Sequence, residues 1–358
     1  MNCKYTYSEL KNKYQDFNTP FIDIEINGKK IKTVLASENK KNQSLKTDYV
    51  KINLSLEKSS MAKIQVSDIY DYSGSSFSET VSIGSSIKIM LGYSGSCETV
   101  FYGYIAGLDY EFRSGFHVII TAFDALSLME QQNCPKYYNS KSHSDIVNEI
   151  INGYSSLILK KSFDNLSISR EFVSREEKIS DLQFIRRLCR ECGRIFYISA
   201  GEAVITDKPD EKPCINLDIH EALKSFRLSE KYQNSIIKVT GFDSQKFDSK
   251  VSGEYRINIS RYQNATASPQ TRFFTAPEIS QSSEAEKYAE YIGRNIMKNI
   301  NTGTVHCIGL PEIKTGCCIT LSGISKSGFD TFKYNVSEIV HSIDSNGFNT
   351  SITINGWS

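Results

Sequence analysis

Apolar residues recur at every second position along most of this chain, and at helical spacing in only a few places. Phe21–Ile26 alternates strictly, and Asn27-Gly28 follows as a strong hairpin signal before Lys30–Ala36. Val50, Ile52, Leu54 and Leu56 repeat the period-two pattern across Asp48–Lys58. Met61–Tyr70 fits a strand or a short helix, Asp71–Glu79 is a Ser/Gly-rich loop, and Tyr5–Tyr14 reads as a short helix or arm. The densest signal runs from Ser85 to Gln132. Ile87–Gly92, Thr99–Gly103, Tyr104–Phe112 and Phe116–Ala122 are β-like runs separated by turns at Ser94-Gly95-Ser96 and Arg113-Ser114-Gly115. Gly103 and Gly107 fall inside strand pattern and predict bulges or corners, which curl a sheet. Asp124 then opens a short helix through Ala125, Leu128 and Met129, so this stretch predicts a curled antiparallel sheet closed by a helix.

Asn133-Cys134-Pro135 marks a break, after which the period becomes helical. Ser142 with Asp145 resembles a capping box, and Ile146, Val147, Ile150 and Ile151 line one face as far as Gly153. A polar strand-like passage follows. Ser180 with Gln183 is a second capping box, Leu182, Ile185, Leu188, Cys189 and Cys192 form the apolar stripe, and Gly193 is the stop. Ile195–Ser199 and Ala203–Thr206 then read as a hairpin across Ala200-Gly201-Glu202. Pro209 and Pro213 bracket the next boundary. Beyond them Ser235–Gly241 and Tyr255–Ile259 are strands, Gln263–Pro277 is a long polar loop, and Ser283–Ile300 is the clearest helix, with Ala285, Tyr288, Ala289, Ile292 and Ile296 on one face. Four β runs complete the chain: Gly303–Cys307, Cys318–Leu321, Tyr334–Ile343 and Phe348–Ile354. The expectation is a β-rich α+β protein. It comprises a first β unit over residues 1–132, a small α/β domain over 133–212 and a second β unit over 213–358, each β unit carrying one helix.

Lys+Arg at 42 against Asp+Glu at 41 leaves a net charge of +1, which gives no overall footprint for a nucleic-acid binder. The basic start (Lys29, Lys30, Lys32, Lys40, Lys41, Lys46) is interleaved with Glu25, Glu38 and Asp48 and reads as a solvated strand and loop. The first residues lack the apolar core of a secretory signal, and no stretch reaches transmembrane length; stable membrane insertion is not expected. Nine scattered cysteines argue against a disulfide framework and for reduced thiols acting as small apolar groups in a cytosol.

Four candidate chemistries reduce to structural readings. Cys189-x-x-Cys192 lacks a second ligand pair for zinc, and it sits at a helix end rather than the start, where the dipole lowers a thiol pKa. Cys317 and Cys318 are neighbours on a strand edge, so their side chains point to opposite faces. His117, His143, His220, His306 and His341 are isolated from one another. A glycosidase pair such as Glu176 and Asp181 can be drawn, but no cleft places it. Nucleophile-elbow, zincin and P-loop patterns are absent. No catalytic, cofactor-binding or metal-binding residue is therefore assigned, and the chain is not expected to be an enzyme.

Several segments carry a family resemblance. Lys88–Tyr93, Val100–Ile105 and Val118–Asp124 resemble the first barrel of the phage late control protein D and VgrG family. Ser180–Tyr197 is similar to that family's middle-domain signature, Ser235–Asp243 to the entry of its second barrel, and Gly309–Thr350, including His341, to its closing strands. The resemblance implies two tube-protein-like antiparallel β-barrels flanking the α/β domain. It also implies a homotrimeric baseplate hub of a contractile phage tail, tailocin or related injection system, adapting a six-fold tail tube to a three-fold spike. The implied partners are the tail tube protein, a separate spike protein and other baseplate proteins, with the tape measure as a further candidate. VgrG-type members continue into a neck and needle, whereas this sequence stops at Ser358. The implied location is the bacterial cytoplasm during synthesis, then the baseplate of a virion or tail-like particle. A tail-associated cell-wall hydrolase or carbohydrate-binding β-rich module is the alternative reading.

Overall fold

The alternation at the start of the chain becomes strand β1 (Pro20–Ile26), whose Ile22, Ile24 and Ile26 are buried between less buried neighbours. Asn27 and Gly28 take positive φ values of 49° and 75°, and they turn the chain directly into β2 (Lys29–Ile31) with Ile26 opposite Lys29. The computed structural model describes residues 3–31, 33–35, 45–67, 81–112, 115–207, 212–242, 249–257, 268–277, 279–324, 328–330 and 332–357. The expected loop at Asp71–Glu79 lies outside them, as do residues 68–70 of the ambiguous run, residues 258–259 of a predicted strand and residues 263–267 of the predicted polar loop.

Strands β3 (Thr33–Leu35), β4 (Leu45–Ser55), β5 (Met61–Ser67), β6 (Ser86–Tyr93), β7 (Ser96–Phe112) and β8 (Phe116–Phe123) continue the first part, preceded by helix α1 (Tyr7–Lys13). Met61–Ser67 is thus a strand, and the two runs read on either side of Gly103 are one long strand. Gly107 sits where the β7–β8 register slips, a bulge as expected. Gly103 has a different cause. A Cβ there meets the Phe123 carbonyl oxygen at 2.1 Å, so glycine is required by close approach of the neighbouring strand.

Helix α2 (Ala125–Gln131) follows, capped by Asp124, and then β9 (Lys136–Ser142), α3 (His143–Asn152), β10 (Lys160–Phe163), β11 (Ser169–Arg175) and α4 (Asp181–Glu191). Both capping boxes form, Ser142 with Asp145 and Ser180 with Gln183. Helix α4 ends in a Schellman motif: Gly193 has φ 70°, and the Arg194 N–H donates to the Cys189 carbonyl at 2.8 Å. The hairpin β12 (Ile195–Ser199) and β13 (Glu202–Thr206) completes this part. The remainder comprises β14 (Asn216–Asp218), β15 (Leu223–Ser229), β16 (Ser235–Phe242), β17 (Lys250–Ile257), β18 (Gln270–Thr275), α5 (Ser282–Lys298), β19 (Thr302–Ile308), β20 (Cys318–Ser322), β21 (Tyr334–Asp344) and β22 (Gly347–Trp357). Strand β18 corrects the polar-loop expectation. Its residues are mostly exposed, yet they are ordered by parallel pairing with β16.

Fourteen strands form one sheet along the path β15-β19-β22-β21-β4-β5-β8-β7-β6-β1-β2, with β3 on β4, β20 on β21 and β14 on β20. Strands from the beginning and the end of the chain meet at β4–β21, where Ile52 faces His341 and Leu54 faces Ile339 in antiparallel register. Three small sheets stand apart: β10-β13-β12, β9-β11 and β17-β16-β18. The buried apolar side chains sort into three clusters. The large one joins both parts of the long sheet, with Ile52, Ile64, Ile89 and Phe101 alongside Ile339 and Ile352. A second gathers α2, α3, α4 and the β12–β13 hairpin. The third lies between α5 and the β16–β17 strands, and it takes in all five residues of the predicted α5 face.

Asp124 carries the clearest pH dependence of the folded chain. Its carboxylate caps α2 by accepting from the Leu126 N–H at 3.1 Å, and it also accepts from the Ser60 N–H at 2.9 Å. Burial pushes its pKa up to about 7. A carboxyl group whose folded pKa lies above its unfolded value contributes stability that is present below the unfolded pKa, near 3.8, and lost as pH rises through about 7. Asp124→Asn keeps the acceptor and removes the titration. With urea midpoints measured from about pH 4 to pH 8, the wild type should therefore lose stability relative to the variant as pH rises, whatever His143 and His341 contribute to both. Parallel slopes in the two proteins would refute the assignment.

Candidate functional site

The cysteines singled out in the sequence at Cys189, Cys192, Cys317 and Cys318, with His143, His341 and Asp181, are buried in packing. Cys189 and Cys192 are buried at the end of α4, with the Cys192 Sγ 3.8 Å from the His143 Nδ1. Burial pushes both thiols up, away from the thiolate that metal binding or redox exchange requires. His143 is pushed down to about 4 and is neutral near pH 7, although its Nε2 lies 3.6 Å from Glu191. Among the described residues no group of three His, Cys, Asp or Glu is placed to hold a metal ion.

Asp181 is buried at the start of α4, where Arg175 and the Tyr154 hydroxyl both donate to it. Arg175 also donates to the Ile179 carbonyl at 3.1 Å and the Gln132 carbonyl at 3.0 Å, which pins α4 to the end of α2. Glu176, by contrast, is exposed. The two carboxylates of the drawn glycosidase pair thus sit in different surroundings, and the oxygens of Asp181 are already engaged. His341 is buried against Thr350 with 2.9 Å between Nδ1 and Oγ1, and its pKa falls to about 4. His117 contacts Asp48 at 3.2 Å, while His220 and His306 are exposed elsewhere. Cys317 and Cys318 are both buried, and Cys317 packs beside Cys214.

Sequence reasoning missed a buried polar tie between α1 and the long sheet. The Tyr14 hydroxyl donates to the Glu312 Oε1 at 2.6 Å, and the Lys13 Nζ bridges Glu312 at 3.1 Å and Glu98 at 2.6 Å. Residues so far apart in sequence leave no local signal.

What the fold offers outward is strand edge and aromatic surface. Among the described residues the long sheet has its outer strand at β15, whose Lys224, Ser225, Phe226 and Arg227 are all exposed, whereas β2 is followed by β3, which returns to pair with β4. An unpaired edge is a template for a further strand. Phe112 is 78% exposed toward the end of the β7–β8 hairpin, and Phe273 on β18 is 75% exposed. On the β9–β11 ribbon, Tyr137 (71% exposed) stacks on Phe172 (56%) with centroids 5.6 Å apart. Among the described residues no helix is long and apolar enough to cross a membrane.

The model of the Alg8 N-terminal domain family matches residues 27–345, nearly the whole chain. The chain belongs to this family. Among curated proteins, none matches it by sequence. Its fold has solved counterparts. The 43 kDa tail protein of prophage MuSo2 from Shewanella oneidensis is similar at 14% identity and a TM-score of 0.69, over 94% of this chain and 98% of that one. The tail protein from Neisseria meningitidis MC58 is similar at 9% identity and a TM-score of 0.70, over 94% and 97%. An E. coli component of the type VI secretion system, described as structurally similar to the T4 tail proteins gp27 and gp5, matches at 12% identity and a TM-score of 0.60, over 94% of this chain and 77% of that one. The fold of this family member is therefore that of tail proteins: β-rich, with helices set against large antiparallel sheets.

Proposed function

We propose that the chain is a non-enzymatic baseplate hub of the late control protein D and VgrG type, in a contractile phage tail, tailocin or related injection system. Residues 1–132 and 213–358 supply two tube-like β-barrels, and residues 133–212 supply the small α/β domain beside them. Three copies close into a ring whose six similar modules meet a six-fold tail tube, while the ring itself meets a three-fold spike made by a separate protein. Closed cyclic symmetry presents such a channel without leaving open association surfaces. Other baseplate proteins, and the tape measure, complete the set of partners. Synthesis is in the bacterial cytoplasm, followed by incorporation into the particle.

The observation that carries this reading is the end-to-end structural match: 94% of the chain aligns with nearly the full length of two bacterial tail proteins. The β4–β21 pairing supports it, since it sets strands of the first and last parts side by side in one sheet. Among the described residues the outer edge of β15 is unpaired, which leaves it open to a strand from a neighbouring copy.

Native mass spectrometry of the full chain, alone and with its tail tube and spike proteins, tests the proposal. The expected species contains three copies. A chain that stays monomeric with those partners present overturns the hub assignment.

A further inference from the structure

A cavity of about 450 Å³ lies between α4, α5 and strand β21, within the range of small-molecule sites. Arg186, Arg190, Arg194 and Lys298 line it against a single carboxylate, Glu57. In a chain whose formal charge is only +1, this is a marked local imbalance.

The four cations are not equally engaged. Arg194 is held by Asp207 at 3.3 Å and by Asp164 at 3.9 Å. Arg186 donates from Nη2 to the Glu57 carbonyl at 2.7 Å, a bond that satisfies one N–H and neutralises no charge. The side chains of Arg190 and Lys298 have no hydrogen bond or ion pair among the described residues, and Glu57 acts on Lys298 only from a distance. A structural cation in this protein looks different: Arg175 is buried with its carboxylate and two carbonyls in place. Burial lowers the pKa of both Lys298 and Arg186; Glu57 opposes this at both and Glu130 at Arg186, while Arg294 on Lys298 and Arg190 on Arg186 add smaller repulsions. An anion placed among them relieves that repulsion. Tyr291 and Phe196 add aromatic wall for the body of a ligand.

We propose that this cavity binds a small oxyanionic ligand bearing at least two negative charges, as phosphates or carboxylates. Arg186, Arg190 and Lys298 are its counter-charges, and the side-chain amide of Asn335 on β21 stands on the same lining to donate a hydrogen bond to it. The proposal does not depend on the hub assignment.

Isothermal titration of the full chain at low salt, with inorganic pyrophosphate and separately with citrate, tests it. Saturable binding of one anion per chain is expected with at least one of the two, and the preferred one identifies phosphate or carboxylate recognition. Lys298→Met keeps the apolar stem and Arg190→Gln keeps a polar surface group. Each should weaken binding about tenfold, the loss expected for one charge-assisted hydrogen bond. Melting temperatures of the ligand-free variants report on folding, and the exposed Arg190 keeps the test valid if Lys298→Met proves unstable. Absence of saturable binding with either anion up to about 1 mM overturns the proposal. So does an affinity that neither substitution changes.

Discussion

Arg175→Met should destabilise the chain by about 3–5 kcal/mol, because it leaves the buried carboxylate of Asp181 without its counter-charge. The guanidinium also satisfies two carbonyls that no methionine can reach, Ile179 and Gln132. Asp181→Leu alone strands the opposite charge and should cost a similar amount. The double substitution removes both charges and should cost clearly less than the two losses added together, since a buried ion pair contributes little beyond an apolar pair of the same volume. Urea denaturation of the four proteins closes the cycle. Additive losses would show that the two side chains act independently and that the contact at the start of α4 is incidental.

The second large effect is expected at the seam of the long sheet. Ile52 is fully buried, faces His341 across the β4–β21 pair and belongs to the cluster that joins both parts of the sheet. Ile52→Ala should cost about 2–5 kcal/mol and Ile52→Val about 0.5–1.5 kcal/mol, the difference reflecting the cavity left behind. The same measurements apply. An alanine variant as stable as the wild type would mean that the two parts of the sheet are held together by other contacts.

Local chemistry was legible in the sequence, and long-range chemistry was not. Ser142 and Ser180 announce helices because a capping box is complete within four residues, and both boxes form. The stripe from Leu182 to Cys192 is buried as its spacing requires. Strands β9, β15 and β18 went unread because few of their side chains are buried, so alternation is weak and pairing partners order them instead. Gly103 was read as a bend, whereas the carbonyl that excludes a side chain there comes from Phe123 on the next strand. The cationic cavity is assembled from Arg186 and Arg190 on one helix, Lys298 on another and Glu57 from beyond β4, residues too scattered to form a motif. Cys189 and Cys192 do form a motif by spacing, yet their surroundings keep both thiols protonated.

The seam between β4 and β21 also sets the order in which a growing polypeptide can complete itself. Strand β4 leaves the ribosome early and can pair at once with β5 and, over Leu45, Lys46 and Thr47, with β3, but the rest of its second edge, from Val50 to Ser55, is satisfied by a strand near the C-terminus. Until translation is nearly finished, that edge and the apolar face of Val50, Ile52 and Leu54 lack their final cover. Contacts between such distant parts of a chain form slowly, because loop closure precedes any gain from pairing. A nascent chain of this protein is therefore open to mispairing through its first half, and truncation before Tyr334 leaves the early strands with an adhesive border rather than a smaller stable domain.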